Sequence, residues 1–165
     1  MNESRAGDAS LTDPRITRLL RSQRLAVLAT DEEGSPYLSL VAYAAAPDLT
    51  RVYFATLSST RKARALEANP RVALLVDDRR NDGGDLADAS ALTLTGLAEA
   101  VPARRRDEAA RLLAEAHPEL SDFLSMADCQ LYAVRITGCV VVSRFTEDPA
   151  GGSWSGRGQT SDSHS

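Results

Sequence analysis

Apolar positions along this chain follow two rhythms, and the two-residue rhythm of half-buried strands dominates. RLAVLAT (24–30) and PYLSLVAYA (36–44) read as strands joined by the turn DEEGSP, a hairpin with a longer loop. A third strand, 51–56, follows the turn at Pro47 and Asp48, and the mostly apolar run 71–76 reads as a buried strand. Residues 91–101 alternate as a long strand, and QLYAVRITGCVVVSRF reads as two closing strands hinged near Gly138. Helical spacing appears between them. Asp13 is placed as an N-cap before Pro14, with Ile16, Leu19 and Leu20 on one face and an end near Gln23. Residues 104–116 set Ala109, Leu112, Leu113 and Ala116 on one side, and a short helix follows His117 and Pro118.

Six or seven strands adjacent in sequence, without regular βαβ alternation, predict a mainly β fold: an antiparallel barrel with decorating helices. The boundaries expected are a flexible N-terminus over 1–12, one barrel domain over 13–147 and a disordered polar tail over 148–165 that holds Trp154. The polar stretch 77–90, with its glycine pair, is a loop.

The most informative segment runs from 54 to 76 and reads strand, hydroxyl-rich turn, helix, strand. The helix begins near Thr60 and stops before Pro70. Arg61 and Lys62 fall in its first turn, where free N–H groups and the helix dipole already make the site positive. Local electrostatics would prefer acids there. Two cations, the hydroxyls of Thr56, Ser58, Ser59 and Thr60, and free amides describe a pocket for a doubly charged anion such as a phosphate monoester. An ordinary Ser/Thr cap followed by solvated basic residues has the same spacing, so both readings stand at this point.

A net charge of -4 and a pI near 5.2 argue against a general nucleic-acid binder. No apolar run approaches the length of a membrane span and no apolar signal region opens the chain, so a cytoplasmic location is expected. Cys129 and Cys139 match no metal or redox spacing, and His117 and His164 are too few for a His-rich metal site. The usual nucleotide loops, GxGxxG and GxxxxGK[ST], are absent.

The order PYLSLV, FAT, TRK, short helix, NPRVALL and TGLAEAV resembles the pyridoxamine 5′-phosphate oxidase-like, FMN-binding split-barrel family over about 24–145. The resemblance implies an antiparallel split β-barrel, a homodimer with FMN at the subunit interface, and an FMN-dependent oxidoreductase acting on a small molecule. Carried over by residue, Arg61 and Lys62 match the phosphate-binding cations and Thr60 the neighbouring hydroxyl. Ala55 and Thr56 match the strand end that approaches the phosphate and ribityl chain. Ser39, Leu40 and Val41 match the segment along the isoalloxazine ring. The chain departs from true pyridoxamine phosphate oxidases in three places. Ser39 stands where they carry an arginine, the strand from Ala91 lacks their glutamine, and the C-terminal Arg-x-His-x-Arg motif is missing. Asp77, Asp78 and Arg79 flank the expected cleft, and no residue is assigned a catalytic role. Three alternatives stay open: a deazaflavin coenzyme, haem with His117 as the iron ligand, or a non-catalytic flavin-binding module.

Overall fold

The computed structural model describes residues 11–143. The tail expected over 148–165, Arg144, and all but the last two residues of the expected flexible N-terminus lie outside the described residues.

Helix α1 (Pro14–Ser22) opens where the Asp13 carboxylate accepts the Arg15 N–H at 2.9 Å. Strands β1 (Leu25–Glu32) and β2 (Ser35–Ala45) follow. Their connection is tighter than the longer loop expected from DEEGSP. Both strands run up to a two-residue turn in which Glu33 and Gly34 take φ of 53° and 83°, the left-handed pair of a type I′ turn whose twist matches the flanking strands. The Asp31 carboxylate accepts the Gly34 N–H at 2.7 Å and pins the turn. Next come β3 (Arg51–Leu57), α2 (Arg61–Ala68) and β4 (Arg71–Asp77). The long loop after β4 contains the one-turn helix α3 (Asp85–Asp88). Then follow β5 (Ser90–Ala100), α4 (Ala103–Ala116), a 3-10 turn, α5 (Ser121–Leu124) and β6 (Cys129–Ser143).

The expected pair of closing strands is a single strand. Near Gly138 the ladder slips, with Thr95 opposite Gly138 but Gly96 opposite Ile136. Thr137 is the extra residue of a β-bulge, so the strand bends without breaking. Gly96 makes the close approach possible: a Cβ there would stand 2.5 Å from the Arg135 carbonyl oxygen.

The strands close in the order β1-β2-β3-β6-β5-β4, with β4 returning to β1. Inward side chains such as Leu28, Phe54, Leu74, Leu92, Leu94 and Val134 fill the barrel, and Phe54 stacks on Tyr132 at 5.4 Å between centroids. Leu19 of α1 and Leu66 of α2 join this core. A second core lies outside the barrel, where Ala109 and Leu113 of α4 cover Tyr53 and Leu131. Cys129 and Cys139 are both buried and neither is in a disulfide. They are ten positions apart on one strand, a separation of about 30 Å that no bridge can span.

Candidate functional site

Two seams of the barrel are short, the one between β1 and β4 and the one between β2 and β3, and the second lies beside the start of α2. The β2–β3 ladder holds only Tyr43↔Phe54, Ala44↔Tyr53 and Ala45↔Val52, whereas β2 pairs with β1 from Ser35 to Ala42. The Tyr43 N–H donates to the Arg24 carbonyl at 3.3 Å. Hydrogen-bonding direction alternates along a strand, so residues 37, 39, 41 and 43 turn their backbone groups to β1. Those of Leu38, Leu40 and Ala42 turn to the open side, where the β3 ladder has ended. Of the three residues assigned to a ring-binding segment, Leu40 therefore presents its N–H and C=O to this open seam. Ser39 and Val41 face β1 with their backbone, and the Val41 side chain is buried in the core.

Helix α2 starts beside this seam because Thr60 caps it. The Thr60 hydroxyl donates to the Leu57 carbonyl at 2.9 Å and accepts the Ala63 N–H at 3.3 Å. With its proton given to Leu57, its 2.9 Å contact to the Thr56 hydroxyl has Thr56 as the donor. Thr60 is thus fully engaged in building the turn, and Thr56 is buried beneath it. The structure joins both hydroxyls to the helix start; Ala55, on the same strand end, is half-buried. Ser58 gives its N–H to the Asp128 carbonyl, and Ser59 accepts at its carbonyl from the Arg64 guanidinium at 2.8 Å.

Arg61 and Lys62 occupy the first turn of α2 as expected. The Arg61 guanidinium lies over the Tyr37 ring, 4.2 Å from its centroid, and pairs with Glu32. The hydrogen bond that Arg61 donates to the Glu32 carboxylate raises its pKa further. Glu32 and Tyr37 had no signal in the sequence, because their relation to the helix start arises only when the β1–β2 hairpin meets α2. The donor set fits a phosphorylated ring cofactor. Cations at a helix start suit the phosphate, and open-edge amides and carbonyls suit a ring with donors and acceptors along its rim.

The face beyond this seam is apolar. Leu40, Val27, Leu75, Thr93 and Val140 are cross-strand partners in succession, forming one row over β2, β1, β4, β5 and β6. Leu38 and Leu40 are 63% and 67% exposed. A hollow of about 440 Å³ lies on this face, floored by Leu25, Val27, Leu40 and Leu75 and rimmed by Arg24 and Arg79. Arg79 pairs with Asp77 at 3.1 Å, and Asp78 pairs with Arg18 at 3.3 Å while accepting the Ser90 N–H at 2.6 Å. These charges brace the loop.

His117 follows the last residue of α4 and is buried. Its Nε2 meets the Tyr43 carbonyl at 2.8 Å and therefore carries the proton; Nδ1 accepts from Arg24 at 3.3 Å. Both ring nitrogens are engaged. Tyr43 is buried as well, its hydroxyl donating to the Leu20 carbonyl at 3.0 Å, and burial pushes its pKa up. The Cys129 thiol is also pushed up by burial.

A family profile described as pyridoxamine 5′-phosphate oxidase matches residues 12–142. The chain belongs to this family. A search of curated proteins finds no match. Among solved structures, a heme-binding protein from Mycobacterium smegmatis superposes with a TM-score of 0.70 at 20% identity, over 78% of this chain and 52% of that one. HutZ, a heme storage protein of Vibrio cholerae, gives 0.68 at 21% identity, over 79% and 93%. A FAD-binding protein of Mesorhizobium loti gives 0.62 at 21% identity, over 79% and 94%. At these identities the likeness carries the fold of the family and leaves the cofactor open. The chain spans about half the length of the M. smegmatis protein. Among the described residues no helix is long and apolar enough to cross a membrane.

Proposed function

We propose that the protein is a flavoprotein that holds FMN at the split of the barrel, between two copies of the chain, and serves as an oxidoreductase for a small molecule. One observation carries this reading: the unpaired β2 edge at Leu38, Leu40 and Ala42 stands at the same seam as the Arg61–Lys62 helix start. Arg61 and Lys62 bind the phosphate, and the Leu40 backbone orients the ring edge. The side chains of Leu38 and Leu40 belong to an apolar face that needs a cover, and a second copy supplies it while excluding water from the cofactor. Hydride or electron transfer is the chemistry that the flavin supplies when bound. No side chain at the site is placed as a general acid or base.

Haem is the second reading, because two of the superposed proteins are described as heme-binding or heme storage proteins. Against it stands His117, whose two ring nitrogens already serve Tyr43 and Arg24. The test is the visible spectrum of protein purified without added cofactor, followed by identification of what denaturation releases. Flavin bands with released FMN support the proposal, and a flavin that is not reoxidised by air points to the deazaflavin. A haem band, or a colourless protein that takes up no added FMN, overturns it.

A further inference from the structure

The cation at the start of α2 already has an anion. Arg61 sends its Nε to Glu32 at 2.5 Å, its Nη2 meets the same carboxylate oxygen, and Tyr37 supports the guanidinium plane. Glu32 is the last residue of β1, and Tyr37 lies on β2 just past the Glu33–Gly34 turn, so one pinned hairpin supplies both contacts. Building on the flavin reading, we propose that Glu32 is a specificity-determining residue of this site: an internal counter-anion that contests Arg61 with a ligand phosphate.

Carboxylate and phosphate oxygens compete for the same guanidinium N–H groups. Arg61 and Lys62 less Glu32 leave one net positive charge for a dianionic phosphate. The contest is reversible, because the Arg61 and Glu32 side chains are 50% and 32% exposed. A pair this open to water is weak enough for a phosphate to displace. Tyr37 keeps the guanidinium plane in place when Glu32 yields. Phosphorylated and unphosphorylated forms of one ligand are thereby discriminated less sharply than two unopposed cations would allow.

The test compares dissociation constants for FMN and riboflavin, by flavin fluorescence, in the wild type, Glu32→Gln, Arg61→Ala and the double variant. Glu32→Gln tightens FMN by about two- to fivefold, leaves riboflavin unchanged, and loses its gain when combined with Arg61→Ala. Glu32→Ala repeats the measurement without the amide. Weaker FMN binding in both Glu32 variants would make Glu32 a brace for Arg61, and unchanged binding would make it a bystander; either overturns the inference. If Arg61→Ala still weakens FMN selectively in that case, the flavin reading survives alone. A wild type that binds neither flavin removes both.

Discussion

Two outer faces of one barrel meet opposite fates in this chain. On the β3–β6 side, α4 lays Ala109 and Leu113 over Tyr53 and Leu131, and the cover is internal. On the β2–β1–β4 side, no helix among the described residues covers the row through Leu40, Val27 and Leu75, and Leu25, Leu38 and Leu40 are more than half exposed. The alternation is equally apolar on both. Cover is therefore decided by where the connections go: the long link between β5 and β6 crosses one face, and tight turns or polar loops border the other. A face left bare by topology is available to something outside the chain.

The largest effect should come from opening the covered face. Leu113→Ala, at a fully buried position, should lower unfolding free energy by about 2–4 kcal/mol in urea titrations. A much smaller loss would mean that α4 adds little to the fold. Leu40→Glu attacks the bare face. It should leave the melting of the single chain nearly unchanged while weakening self-association on the order of a hundredfold, read by sedimentation velocity. A variant that sediments like the wild type at every concentration would show that this face is not the interface between copies.

Tyr43 lies on β2 where the bare half gives way to the half paired with β3, and its hydroxyl ties the strand to α1. Tyr43→Phe should cost about 1 kcal/mol of stability in the same titrations, without altering assembly. The smallest effect concerns the loop that borders the bare face. Asp85 is held below the ordinary carboxylate range, first by the Arg80 N–H and then by those of Asn81 and Asp82. A depressed folded-state pKa contributes stability that is present above the unfolded value near 3.9 and is lost as pH falls through the folded one. Amide exchange at Asn81 and Asp82 should therefore accelerate, relative to the barrel strands, only below about pH 4.

Local rules carried much of the fold. Pro14 after Asp13, the Thr60 cap and the strand alternation all depend on neighbours within a few residues, and each stands in the structure. Gly138 misled because a glycine amid apolar residues signals a turn, whereas the slip at Thr137 is set by the partner strand. The two cations at the start of α2 stood out because they contradict the helix dipole, and a phosphate is the partner proposed for them. Glu32 did not: its 29-residue separation from Arg61 closes only through the hairpin. Nor could spacing reveal that the β2–β3 ladder ends early and frees Leu40.

Strand β6 has a consequence for how the molecule comes into being. It pairs along its first half with β3 and along nearly its whole length with β5, yet it is the last element of the barrel to leave a ribosome. Until about residue 143 has emerged, β3 and β5 both offer unsatisfied edges to any passing chain. Closure is a late, long-range event, and a nascent chain stalled before Cys129 should be the most aggregation-prone species in the life of the protein.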